Sequence, residues 1–406
     1  MLCGRRVSIA ASLEFVRILS ASRSDDAARM NVNERKIAKK MEASSDVAAA
    51  ASSRFLWTLV LVLINFTNVN VFSAAQSSTG RLLFEENFDG ESLNKSIWKR
   101  EIKIPLEPDY EFCVFHKHDE NLELKRGVLR ITPSLFEDIY GEDSIYIGQL
   151  RLADCTSTSP RECSQQASSY HVLPPVISAK IITKDHFEFR YGVVEVRAKF
   201  PEGDWLYPEM WLEPVYKSYE SGSANARIDL GRSRGNALLT KIGDTYKDYG
   251  ARMVEFGVAN GTGNEFHEEN VNKLRRNGGA WNKEFHIYKT TWSPKGFSFH
   301  VDGQLVGKLL PSENSGWTTY TEEALDKLTT PFDEKFYLSI GLGVGGVRAF
   351  PDGTQTRSYV KPWRNINAKA MLFFWQAKTS WFPSWQPNQG ARTALEIDYI
   401  RVYSLD

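Results

Sequence analysis

From residue 81 to the C-terminus the chain is a succession of short segments in which apolar and polar residues alternate. Most are bounded by Gly, Pro, Asn or Asp. GVLRITPSL (127–135), GVVEVRAKF (192–200), FSFHVDGQLVG (297–307), KFYLSIGLGVG (335–345) and ALEIDYIRVYSL (394–405) are the clearest. A period of two puts neighbouring side chains on opposite faces, so each segment reads as a strand that can bury one face. Helical patterns are few and brief: EENVNKLRR (268–276) and TEEALDKL (321–328). Without repeated strand–helix alternation a parallel α/β sheet is disfavoured. The pattern predicts an all-β sandwich of antiparallel sheets, one domain of upwards of roughly ten strands. The 42% hydrophobic content supplies a core for it, and no internal repeat is visible.

The first 80 residues differ. Residues 21–54 are rich in Ala, Ser and scattered charge, with no sustained amphipathic period, and read as disordered. FLWTLVLVLI (55–64) follows Arg54 and precedes NVFSAAQSS. It is short for a membrane span and is interrupted by Asn65, Asn68 and Asn70, so it reads as a secretory signal cleaved near Ala74 or Ala75. Taking Met41 as initiator makes 1–40 an upstream extension, 41–75 the signal peptide and 76–406 the mature domain. A signal-anchor at the cell surface is the alternative. Secretion also changes how cysteine is read. Cys155 and Cys163 bracket a Ser/Thr/Pro loop as a candidate disulfide, leaving Cys113 as a buried thiol. Asn94 (NKS) and Asn260 (NGT) are candidate glycosylation sites, expected on surface loops.

Fifty basic and fifty acidic residues balance, and no long basic run stands out, which argues against nucleic acid as a principal partner. No nucleophile elbow, zinc-protease helix, C-x-x-C pair or phosphate loop is present. HKH (116–118) lacks companion ligands and reads as solvated strand or loop; GLGVGG (341–346) reads as close strand packing. The conspicuous feature is 11 Trp, 16 Tyr and 23 Phe. They either fill a wide β core or pave a cleft for sugar rings. In GDWLYPEMWLEP (203–214), Trp205, Tyr207 and Trp211 stand at strand spacing and can share one face. FFWQAKTSWFPSW (373–385) adds Trp375, Trp381 and Trp385, read as loop residues. These are candidate stacking platforms for an extended uncharged polymer.

One strand, ARIDLGRSRGN (226–236), carries Arg227, Asp229 and Arg232 within six positions. In order, it follows VISAKIITKDHFEFRYGVVEVRAKFPEGDWLYPEMWLEP (176–214). FHIYKTTWSPKGFSFHVDGQLVG (285–307), PFDEKFYLSIGLGVGG (331–346) and the terminal strand come after it. The series, from about residue 81 to 406, resembles the family-16 glycoside hydrolases. LPPVISAKIITK (173–184) and the tryptophan-rich tail further resemble the arthropod β-1,3-glucan recognition proteins, also called Gram-negative bacteria-binding proteins. The resemblance implies a concanavalin-like β-jelly-roll whose concave sheet forms a glucan cleft. Active members read E-I-D-apolar-x-E here, the first Glu a nucleophile and the last an acid/base. A retaining mechanism needs the two carboxyls about 5–5.5 Å apart. Positions i and i+5 of a regular strand face opposite ways, so a β-bulge is required, and Gly231 is where one forms easily.

Mapped onto this chain, Arg227 takes the nucleophile position and Arg232 the acid/base position, while Asp229 is retained. A guanidinium neither attacks an anomeric carbon nor donates a proton at neutral pH. The resemblance therefore implies an inactive glucanase homologue. The arginines are expected either to donate to glucan hydroxyls or anionic lipid headgroups, or to pair with carboxylates. Glu209 or Glu213 is the expected partner of Arg227 or Arg232, with Asp229 another. The resemblance further suggests a structural Ca²⁺ held by Asp398 and Asn87, or simple hydrogen bonding of Asp398; no cofactor is required. No segment before residue 81 reads as a separate carbohydrate module, which leaves binding to the sandwich. The implied function is a secreted innate-immune pattern-recognition protein. It would bind β-1,3-glucan, also lipopolysaccharide, and signal to extracellular serine proteases. The alternatives are a glucanase using Glu209 or Glu213, or a sandwich used only for protein contacts.

Overall fold

The computed structural model describes residues 80–169, 171–217, 225–261, 266–275, 279–311, 331–386 and 391–406. The expected extension, the signal segment and the TEEALDKL helix lie outside these residues. Two eight-stranded sheets dominate, and all their pairings are antiparallel. In the first, β1 (Leu82–Glu86), β3 (Leu122–Leu124), β4 (Leu129–Ile131), β7 (Gly192–Lys199), β12 (His286–Ser293), β13 (Gly296–Val301), β14 (Gln304–Leu309) and β16 (Leu395–Tyr403) run in the order β14-β13-β12-β7-β16-β4-β3, with β1 also on β16. The second holds β2 (Lys99–Arg100), β5 (Lys180–Ile182), β6 (Glu188–Phe189), β8 (Leu206–Pro214), β9 (Arg227–Arg232), β10 (Met253–Asn260), β11 (His267–Leu274) and β15 (Phe336–Val344). Its order is β11-β10-β9-β8-β15-β5-β2, with β6 on β15. All five segments singled out by alternation contribute strands.

The core lies between the sheets. Phe256 of β10 meets Tyr288 and Phe299 of the other sheet, ring centroids 6.2 and 5.4 Å apart. The faces differ in a way that decides the site. Along β12 burial alternates residue by residue, as expected of a sheet wetted on one side. Along β8, β9, β10 and β15 every residue is buried. The central strands of the second sheet are therefore covered on both faces, while its edge strand β11 is not. Close packing explains the glycines of β15, since a Cβ on Gly343 would lie 2.3 Å from the Tyr207 ring.

Two local readings are corrected. Residues 268–274 of EENVNKLRR are not helical; they belong to β11, paired with β10 from Asn260↔His267 to Met253↔Leu274. An eight-residue ladder outweighs weak helix propensity. The tryptophan-rich tail is not a loop. After the short helices α1 (Phe136–Tyr140), α2 (Ser144–Ile147) and α3 (Pro160–Cys163), it forms α4 (Ala370–Gln376) and α5 (Lys378–Trp381). Ala, Met, Leu and Gln favour that state.

The Cys155–Cys163 disulfide is present, and Cys113 is free and buried. Asn94 is exposed in the turn after β1. Asn260 does not sit on a surface loop: it is 7% exposed at the end of β10, where pairing with β11 encloses it.

Candidate functional site

The β9 strand is the floor of the site. It pairs with β10 at Arg227↔Ala259, Ile228↔Val258 and Asp229↔Gly257, then at Arg232↔Glu255, so one extra residue sits between Asp229 and Arg232. This is the expected bulge. Gly231 carries it with φ of 129°, and a Cβ there would come within 3.0 Å of Tyr288. The bulge returns Arg232 to the face of Arg227: both guanidinium groups reach Glu268 of β11, at 3.0 and 3.7 Å.

Both arginines are enclosed and paired. Arg227 donates to Asp109 and lies 3.3 Å from Asp229. Arg232 also faces Glu255 at 3.6 Å, and Arg234 takes the same carboxylate at 2.8 Å. Burial alone would lower the Arg227 pKa, but Asp109, Asp229 and Glu268 outweigh it and hold the charge firmly. Burial likewise pushes Glu268 up, while Arg232 and Arg227 pull it further down, to about 2. Burial raises Asp229, and the two arginines only partly oppose that.

The expected partners Glu209 and Glu213 go elsewhere. They pair with Lys180 of β5 at 3.2 and 3.4 Å, not with either arginine. β5 and β8 both pair with β15, which brings Lys180 level with the β8 carboxylates. Burial alone would depress Lys180, but Glu209, Glu213 and Glu101 lift it well above the usual range. Glu213 is drawn well below its usual value despite burial, by Lys217 and Lys180. Glu209 ends above its ordinary value, burial prevailing over Lys180.

Asp109 comes from a loop closed by the bridge between Lys103 and Phe115. Phe112 N–H donates to Val344 O at 2.7 Å and Val347 N–H to Asp109 O at 2.7 Å, which pins the loop to the end of β15. Beside it a space of about 60 Å³ remains, bordered by Asp109, Lys180, Trp211 and Arg227. No spacing in the sequence ties residues 109, 180 or 268 to 227, so these three partners were not foreseen.

The expected stacking platforms are core residues. Trp205 and Trp381 are fully buried, and Tyr207, Trp211 and Trp375 nearly so. Trp205 packs edge-on against Trp363 at 4.9 Å, and Trp381 stacks on Phe374 at 4.6 Å. Trp211 does border the site, but its ring is capped by Lys180 at 4.4 Å and Arg227 at 4.7 Å. A wide sandwich needs large flat fillers, and that need took these rings. Nor do the residues fit a calcium ion. The Asp398 carboxylate is paired with the Arg197 guanidinium, whose charge would repel a cation, and no His/Cys/Asp/Glu cluster suited to a metal occurs among the described residues.

Comparisons with known proteins identify the family and the fold. The family described as Glycosyl hydrolases family 16 matches residues 165–330. "Beta-1,3-glucan-binding protein 1" of Galleria mellonella is 39% identical over 80% of this chain and 64% of its own length. "Gram-negative bacteria-binding protein 1" of Drosophila melanogaster is 34% identical over 80% and 65%. The chain thus spans about two thirds of the length of these relatives. It covers 90% of the "Beta-1,3-glucan-binding protein" of Penaeus monodon, at 32% identity over 80% of this chain. Among solved structures, the endo-β-1,3-glucanase from Pyrococcus furiosus superposes with a TM-score of 0.51 at 19% identity. That match covers 81% of this chain and 96% of that one, and shows the shared fold. The chain belongs to the arthropod β-1,3-glucan-binding and Gram-negative bacteria-binding protein family, built on the family-16 glycoside hydrolase jelly roll.

Proposed function

We propose that the chain is a secreted, non-catalytic pattern-recognition protein that binds microbial β-1,3-glucan. One observation carries the non-catalytic part: the bulged β9 strand presents two buried guanidinium groups on one face, both held by Glu268. A retaining glycosidase needs one carboxyl to attack and another to give up a proton. Glu268 is ionised and bound to arginine, and Glu209 and Glu213 are sealed against Lys180. Glucan as the ligand comes from the names of the relatives. Secretion is supported by the Cys155–Cys163 disulfide, which suits an oxidising compartment. Among the described residues no helix is long and apolar enough to cross a membrane. Lipopolysaccharide and the serine proteases of an extracellular cascade are the further partners this reading implies.

The test uses the full chain. It should sediment with insoluble β-1,3-glucan and release no new reducing ends from laminarin. New reducing ends would overturn the non-catalytic reading, and failure to sediment would overturn recognition.

A further inference from the structure

One sizeable cavity among the described residues lies apart from the family cleft. It holds about 620 Å³, within the roughly 300–1,000 Å³ usual for small-ligand sites. None of its lining residues belongs to β8, β9 or β10. It opens between the Asp109 loop, the strand Ser164–Gln166 and the segment 365–372 that leads into α4. Pro105, Leu106 and Glu111 border both it and the small space beside Arg227, so the loop is the partition between the two.

The chemistry of the walls suits an uncharged sugar chain. Leu106, Met371 and the 94%-exposed Ile366 supply apolar contact. On the rim, two amides are held by the backbone at one end only. Gln166 Nε2 donates to Gly148 O at 3.0 Å, and its Oε1 has no partner among the described residues. Asn367 Oδ1 accepts from Lys369 N–H at 2.9 Å, and its Nδ2 has no partner among the described residues. One acceptor and one donor are thereby oriented in advance, which reduces the entropy lost on binding. Each hexose hydroxyl both donates and accepts, so such a pair matches it. The exposed Arg161 guanidinium adds donors and has no ion-pair partner among the described residues. Glu111 lies deeper; burial, together with Glu209 and Asp109, raises its carboxyl well above the usual carboxylate range.

We infer that this cavity, and not the filled cleft over β9, is where the chain takes a β-1,3-gluco-oligosaccharide, with Gln166, Asn367 and Arg161 as its polar contacts. The inference rests on the glucan-binding reading. It is tested by calorimetric titration of the full chain with laminarin. Ala368 is exposed at the cavity wall, so Ala368→Trp fills the space without touching the core. It should weaken binding about tenfold or more. Ile242→Trp, at an exposed position outside the cavity, should bind as the wild type. The double variant Gln166→Ala/Asn367→Ala should show the same loss with an unchanged melting temperature. If wild type binds and both cavity variants match it, the inference falls while the glucan reading stands. If wild type itself does not bind laminarin, both fall.

Discussion

On one side of the Asp109 loop, around Arg227, charged groups pack until about 60 Å³ stays open. On the other, around Gln166 and Asn367, about 620 Å³ stays open and the oriented polar groups are amides. The two spaces share a wall and differ in what their residues require. A buried guanidinium must be neutralised, so each arginine draws in carboxylates, and these bring their loop and strand with them. An amide requires only a hydrogen bond and can leave one atom facing water. Buried guanidinium groups with their carboxylates thus fill the space over β9, while the neutral groups on the other side of the loop leave theirs open.

The comparison breaks most readily at Arg227. Arg227→Met leaves Asp109 and Asp229 buried without their cation, and should cost roughly 3–5 kcal/mol in urea unfolding. A loss below about 1 kcal/mol would mean the cleft is not held shut by charge. Next is acid. Glu268 titrates near 2 in the folded state against an ordinary 4.5, so its stabilisation is complete above the ordinary value. It is lost as pH falls through about 2, a change on the order of 3 kcal/mol. Glu268→Gln should flatten that part of the stability profile; an unchanged slope would sink the assignment. The smallest effect belongs to Glu111. Its acid is raised well above the usual value, so the stability it confers is present at low pH and declines as pH rises past the ordinary carboxylate range. Glu111→Gln should therefore match or exceed wild-type stability at neutral pH, and a loss above about 1 kcal/mol would show that the carboxyl is ionised there.

Much of the fold was legible because strand periodicity is local. The segments around residues 129, 192, 297, 336 and 395 alternate visibly, and each became a strand. β8 was readable as a strand, but its enclosure on both faces was not, because the Asp109 loop and the strands beside it come from distant parts of the chain. The bulge at Gly231 was legible through the family resemblance, whose catalytic pair must share a face across this six-residue spacing, together with the glycine. The roles of Trp205, Tyr207, Trp375 and Trp381 were misread for a plain reason: a ring that can stack on sugar can equally fill a core, and spacing does not tell which.

By itself, then, the sequence determined an antiparallel sandwich, the Cys155–Cys163 pairing and the place of Arg227 and Arg232 on a bulged strand. All of these depend on residues near one another along the chain. Only the tertiary structure decided which carboxylates meet which cations, and which of two adjacent spaces stays open. Asp109 is 118 positions from Arg227, and no periodicity reaches that far. Their pairing follows from enclosure, because a charge removed from water must find its counterion among whatever groups the fold brings beside it.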